Sequence, residues 1–180
     1  MKEQLVILVN ENDQEQGEME KIETHKKGLL HRAFSVFIFN SKGEMLLQQR
    51  ALNKYHSGGL WSNACCSHPF PGEETIAGAT RRLKEELGFV TNLTVAFDFI
   101  YRAEFNNGLT EYEFDHVFTG EYNGDIHANT DEVCDYCYKS FRDLRDSLQA
   151  YPGKFTAWLH IVFPKIEEWW KEHYKQFIMD

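Results

Sequence analysis

Apolar and polar positions divide most of the chain into recognisable elements. "EQLVILVN" is an apolar run of strand length, "ENDQEQG" is a turn, and "EMEKIETH" is expected to pair back as a second strand. "HRAFSVFIFN" carries Phe34, Val36 and Ile38 on one face and Phe37 and Phe39 on the other, the period of a strand. The turn "NSKG" and the returning "EMLLQQR" predict a hairpin. "EETIAGATRRLKEELG" is the clearest helix: Ile76, Ala79, Leu83 and Leu87 form one apolar stripe, and Gly88 is a natural C-terminal stop. "LTVAFDFIYRAEF" and "LTEYEFDHVFTGEY" are strands joined by "NNG", and "DEVCDYCYKS" is a further strand. "SFRDLRDSLQAY" predicts a helix with Phe141, Leu144 and Leu148 inward. "FTAWLHIVF" and "KIEEWWKEHYKQF" are expected as two helical pieces, because Pro164 between them lacks an N–H and crowds the preceding turn. Strands and helices do not alternate regularly, so the expected class is α+β. Ala51 to Pro71 is long and without clear periodicity, and such segments in compact domains tend to be functional.

Bulk properties narrow the function classes. The 180 residues contain no internal repeat and no Ser/Gly linker, so residues 1–180 are expected to form one domain with a substantial core. A net charge of −9 argues against wholesale binding to nucleic acid or an anionic membrane. An anionic ligand therefore needs a local basic pocket or metal ions. The start "MKEQLVILVNEND" has too short an apolar run for a signal peptide, and no stretch approaches the ~18 apolar residues of a membrane span. Four cysteines, two of them adjacent, make no disulfide framework, which points to a reduced, cytoplasmic protein.

The clearest helix also carries charge at i,i+4 spacing. Arg82 and Glu86 sit together at the edge of the apolar stripe, and Arg81 and Glu85 further round toward solvent. The frame of Glu73, seven residues and "RRLKEELGF" resembles the Nudix box, G-x5-E-x7-R-E-U-x-E-E-x-G-U, with U aliphatic. Glu73, Arg81, Leu83, Glu85, Glu86 and Gly88 match. Ser67 stands where the box begins with Gly, and Arg82 replaces its central Glu. In that family the central Glu is a ligand for the magnesium that assists diphosphate hydrolysis. A cation there suits a site that holds a diphosphate without cutting it.

"THKKGLLHRAF" supplies His25 and His31, and "CCSHP" supplies Cys66 and His68. "EYE" places Glu111 and Glu113 on one face of a strand, where side chains repeat every two residues. Two carboxylates so placed repel, and one keeps its proton, unless a cation lies between them or the face is solvated. Three imidazoles and two carboxylates suit a divalent ion such as Mn²⁺, Mg²⁺ or Zn²⁺, although spacing alone does not bring them together.

"ETHKKGLLHRAF", "LLQQRALNK", "LWSNACCSHP", the modified Nudix box and "EYE" together are similar to the type I isopentenyl diphosphate isomerases, in order from about Lys21 to Trp158. The resemblance implies a Nudix-type mixed β-sheet flanked by helices. It implies metal-dependent conversion of isopentenyl diphosphate to dimethylallyl diphosphate, feeding isoprenoid biosynthesis, by proton addition and removal on opposite faces of an alkene. The catalytic residues it implies are Cys66 and Glu113, with Tyr101 bonded near the latter. The implied metal ligands are His25, His31, His68, Glu111 and Glu113, holding one Mn²⁺, Mg²⁺ or Zn²⁺. Glu86 is implied to hold a Mg²⁺ that reaches the diphosphate, and Lys21, Arg50, Lys54 and Arg82 to grip it. Trp158, and with less support Trp61, are implied to wall the pocket, although an aromatic at helical spacing is usually core. A small-molecule substrate, no nucleic acid, no membrane, and a monomer or weak homodimer complete the expectation. The alternative is a Nudix hydrolase of a diphosphate-containing small molecule, which leaves Cys66 with no work. Cys134 and Cys137, three apart on a strand, point to opposite faces and are not read as metal ligands. Cys65 is expected to pack inward. His56, His116, His127, His160 and His173 receive no role.

Overall fold

The computed structural model describes residues 4–54 and 56–174. Glu3 of the first expected strand and residues 175–177 of the last expected helix lie outside them. Strand β1 (Leu5–Val9) pairs antiparallel with β2 (Glu15–Glu20). The expected second strand then ends early. Lys21–Lys27 form a helix, α1, because Glu20 caps it, accepting from the Glu23 N–H, and Gly28 closes it at φ 60 with its N–H on the Thr24 carbonyl. This turn of helix carries Lys21 and His25.

β3 (His31–Phe39) is the axis of the sheet. β4 (Met45–Arg50) returns from the turn but pairs with β3 only at Phe39–Met45 before the two diverge. The stretch without clear periodicity contains β5 (Trp61–Asn63) and β6 (Cys65–Ser67), strands of three residues each and too short to show a period. β6 lies antiparallel on Phe34–Val36 of β3. After helix α2 (Thr75–Leu87) come β7 (Thr94–Glu104) and β8 (Thr110–Glu121), joined by the expected turn with Gly108 at φ 79. β8 runs parallel to β3 along the whole of β3, from His31–Glu113 to Phe39–Glu121. β9 (Val133–Lys139) pairs antiparallel with β4. The sheet is therefore mixed, as the α+β expectation requires.

The alternation in β3 separates two apolar clusters. Phe34, Val36 and Ile38 pack with Leu83 and Leu87 of α2, while Phe37 and Phe39 pack under α3 (Phe141–Ala150) and α4 (Ala157–His173). Ile76 does not join the stripe of α2: it lies in the first turn and is 39% exposed, whereas Gly78 and Glu86 share the buried face. Gly88 is required, since a Cβ there would lie 2.4 Å from the His127 carbonyl oxygen. α4 is one helix through Pro164, not two pieces. Leu159, Val162 and Phe163 before the proline and Ile166 and Trp170 after it bury against one cluster, which outweighs the lost hydrogen bond. Leu83→Ala is expected to cost about 2–5 kcal/mol in a denaturant titration, because this fully buried side chain leaves a cavity between α2 and the sheet.

Candidate active site

Four buried side chains from separate parts of the fold meet at one end of the sheet. They are His25 of α1, His31 at the start of β3, His68 just after β6, and Glu113 of β8; one ligand atom from each lies within 4.8 Å of all the others. The parallel register of β3 and β8 sets His31 directly beside Glu113. His25 Nδ1 is 2.6 Å from the Lys21 carbonyl oxygen, and His31 Nδ1 is 2.8 Å from that of Leu29. A carbonyl only accepts, so both Nδ1 atoms carry a proton, and both Nε2 atoms are the ones left to face the other side chains of the group. His31 Nε2 and His68 Nε2 are 3.1 Å apart, and Glu113 Oε1 is 3.1 Å from His68 Nε2 and 3.5 Å from His31 Nε2. Burial drives His68 down to about 3 and lowers His25. Burial opposes the Glu113 carboxylate, but its His31 and His68 contacts outweigh that and hold it well below the usual carboxylate range. Three imidazoles and a carboxylate with one ligand atom each turned to a common point could hold a divalent cation.

Glu111 stands outside that group of four. Its Oε2 accepts from the Tyr101 hydroxyl at 3.1 Å, and its Oε1 is 3.4 Å from His56 Nε2. Tyr101 is closer to Glu113, donating to Oε2 at 2.7 Å. Burial, then the charge of Glu113, raises Glu111 well above the usual range; burial and both carboxylates raise Tyr101. Tyr101 thus stays a donor with one proton for two acceptors.

Cys66 is half-buried, while Cys65 is fully buried in the apolar cluster beneath α2, as expected. The Cys66 thiol donates to Asn63 Oδ1 at 3.0 Å. The Asn63 amide nitrogen is committed to the Val36 and Cys65 carbonyls, so its oxygen must face the thiol. Ser35 Oγ lies 3.4 Å from the sulfur and donates to Asp115 Oδ2 at 2.7 Å. Burial, with the carboxyl of Asp115 behind it, pushes the Cys66 thiol pKa far up, so the group holds its proton.

Cys66, Tyr101, Glu111, Glu113 and Trp158 line one cavity of about 60 Å³. The Trp158 indole donates to Ser62 Oγ at 2.8 Å, and the Arg50 guanidinium lies 5.1 Å from its ring centroid. Lys21, Arg50, Lys54 and Arg82 supply positive charge at the same cavity, and Glu86 also lines it. Burial brings Lys21 down to about 8, against the pull of Glu113. Arg82 pairs with Glu85 and Glu86, each at 2.7 Å, and with Glu132 at 3.2 Å; Lys54 also pairs with Glu132. Glu86 is fixed from the other side by Gln48 Nε2 at 2.7 Å. Glu73 does structural work, accepting from Arg81 at 2.8 Å and from the Phe70 N–H. Trp61 is set apart from the cavity: it pairs with Gln49 across the β4–β5 ladder and packs against the cluster under α4.

Sequence reading missed Ser35, Asn63, Asp115, Glu132 and His56. The period of two in "EYEFD" extends the Glu111–Glu113 face to Asp115 and could have found it. Asn63 lies in a three-residue strand and gives no such signal.

Residues 29–159 match the family model for the NUDIX domain. The chain is 51% identical over 166 residues to the isopentenyl-diphosphate Delta-isomerase of Pectobacterium atrosepticum, covering 92% of this chain and 93% of that one. It is 49% identical over 164 residues to isopentenyl-diphosphate Delta-isomerase 1 of Aromatoleum aromaticum, covering 91% and 93%. Among solved structures, the MutT protein of Methanosarcina mazei superposes with a TM-score of 0.64 at 21% identity over 77% of this chain and 94% of that chain. A protein of Deinococcus radiodurans does so at 0.69 and 17% identity over 82% and 90%. These structural likenesses concern the fold.

Proposed function

Since the chain belongs to the Nudix family and, within it, to the isopentenyl-diphosphate Delta-isomerases, we propose that the cavity between Cys66 and Glu113 is where isopentenyl diphosphate becomes dimethylallyl diphosphate. One observation carries this assignment of the site: the Cys66 thiol and the Glu113 carboxylate line the same small cavity, where burial favours the protonated thiol and the imidazole contacts favour the ionised carboxylate. In those charge states Cys66 donates its proton to the terminal alkene carbon, leaving a tertiary cation. Glu113 then takes a proton from the neighbouring methylene, and the roles reverse on the way back. No covalent intermediate is required, so placement matters more than nucleophilicity. Tyr101 steadies Glu113 by its hydroxyl donor. The Trp158 indole faces the reaction as an electron-rich wall that cannot trap the cation, an attraction that reaches ~2 kcal/mol or more when desolvated.

Lys21, Arg50, Lys54 and Arg82 bind the diphosphate, with Glu86 holding a Mg²⁺ against it. The charge reversal at Arg82 favours holding a diphosphate over cutting it. His25, His31, His68 and Glu113, with Glu111 beside them, hold one divalent cation, Mn²⁺, Mg²⁺ or Zn²⁺. When bound, that ion supplies positive charge that keeps two neighbouring carboxylates ionised together. The whole of residues 1–180 acts as one domain, working in the cytoplasm as a monomer or weak homodimer. Among the described residues no helix is long and apolar enough to cross a membrane.

The test is incubation of the purified protein with isopentenyl diphosphate and Mg²⁺. An acid-labile allylic product is expected without phosphate release, and EDTA is expected to stop its formation. Phosphate release at useful turnover with no allylic product would instead establish the hydrolase alternative. Activity untouched by EDTA, together with no divalent ion in the isolated protein, would remove the histidine-centred metal site.

A further inference from the structure

The chain between β4 and β5 turns a histidine into the cavity. His56 is 8% exposed. Its ring stacks on Phe105, with centroids 4.8 Å apart and planes at 15°, and stands edge-on to Trp158 at 5.9 Å. The backbone around it is tightly set. Arg50 Nη2 donates to the His56 carbonyl at 3.4 Å. Gly59 adopts φ 77, and a Cβ on Gly58 would lie 2.5 Å from the Leu52 carbonyl oxygen, so this turn admits no side chain at Gly58 without shifting. Ser57 Oγ, 3.2 Å away, engages Nδ1, and Nε2 points to the cavity, 3.4 Å from Glu111 Oε1.

Glu111 is the carboxylate that needs a second partner. It shares a strand face with Glu113, and both look to the one proton of Tyr101, which lies nearer Glu113. Nothing on β8 itself fixes the other Glu111 oxygen, and a ligating carboxylate is oriented by what bonds its free oxygen. We propose that His56 is a positioning residue of the cation centre: clamped between Phe105 and Trp158, it holds Glu111 toward His25, His31, His68 and Glu113. The same ring joins Glu111 to Trp158, so the walls of the cavity and the ligand set are placed together. This inference rests on the reading of those side chains as a divalent-cation centre.

The test is Mn²⁺ titrated into EDTA-stripped protein, followed by calorimetry. His56→Phe keeps a flat ring against Phe105 and Trp158 but loses Nε2, and it is expected to weaken Mn²⁺ binding about 10- to 100-fold. His56→Gln sets an amide nitrogen near the position of Nε2 and is expected to stay within a few-fold of the parent. In a Glu111→Gln background, His56→Phe is expected to cause no further loss, because its effect runs through Glu111. Parent protein that binds no Mn²⁺ overturns the centre itself. Parent binding with His56→Phe unchanged, with His56→Gln as weak as His56→Phe, or with full loss repeated in the Glu111→Gln background, overturns the role of His56 while leaving the centre standing. Should His56→Phe fail to fold, the His56→Gln comparison, with and without Glu111→Gln, decides alone.

Discussion

Cys66→Ala is expected to lower kcat for isomerisation by about 10²- to 10⁴-fold, the span of a positioned acid or base, while metal content and fold stay intact. The thiol contributes one hydrogen bond to Asn63, so its removal is expected to cost only about 1 kcal/mol of stability. None of the four atoms that converge at the cation centre belongs to it. Cys66→Ser is the sharper probe: the hydroxyl can still donate to Asn63 and sit beside Ser35, but it is a much weaker acid. If the thiol serves only to pack, serine restores activity; if it moves a proton, serine stays near the alanine variant. Cys65→Ala is the internal control. That side chain faces the apolar cluster under α2 and not the cavity, so the expected change is in unfolding midpoint, with kcat close to the parent. Stopped-time assays of allylic product on the three variants separate these cases, and near-normal turnover by Cys66→Ala refutes the assignment.

The asymmetry between the two adjacent cysteines also shows what a sequence can carry. Cys65 is readable as a buried small residue, and β6 turns the neighbouring Cys66 to the other face. The same alternation in β3 assigns Phe34, Val36 and Ile38 to one cluster and Phe37 and Phe39 to the other, as found. Elements failed to be legible where tertiary contact overrides local rule. Pro164 sits inside a helix because the residues on either side of it bury against one cluster, and Ile76, in the first turn of α2, stays exposed while Ala79, Leu83 and Leu87 are buried. Convergence of the site was legible only through family resemblance. His25, His31, His68 and Glu113 come from a short helix, two strands and a loop, and nothing in their spacing states that β8 lies parallel to β3. Glu111 and Trp61 show what residue spacing leaves open. Two carboxylates on one strand face are equivalent by spacing, yet one is embraced by imidazoles and the other is left to Tyr101 and His56. Trp61, on the three-residue β5, has no local feature to say that it turns toward the cluster under α4.

That inequivalence sets the second expected result. Glu113→Gln is expected to lower kcat about 10²- to 10⁴-fold and, unlike Cys66→Ala, to lower divalent-ion occupancy in the same preparation. The carboxylate does three things at once. One oxygen lies against His31 and His68, the other accepts from the Tyr101 hydroxyl, and the group as a whole is the ionised base of the proposed proton transfer. Glutamine keeps the size, so packing is conserved, but its neutral amide supplies no charge to a cation and no basic oxygen to the methylene. Its NH₂ must also face either the Nε2 atoms or the Tyr101 hydroxyl, and in the latter case Tyr101 turns its proton to Glu111 and no longer donates to residue 113. Metal analysis after dialysis and product formation with excess Mn²⁺ or Mg²⁺ separate the two losses. If saturating metal restores turnover to the parent level, Glu113 is a ligand and not the base. If occupancy is unchanged and only turnover falls, the four-residue centre does not depend on its carboxylate. Loss of both, with turnover unrecovered at full occupancy, is the result that places one carboxylate in both roles, and Glu111→Gln, whose carboxylate lies outside the group of four, is expected to fall short of it on turnover.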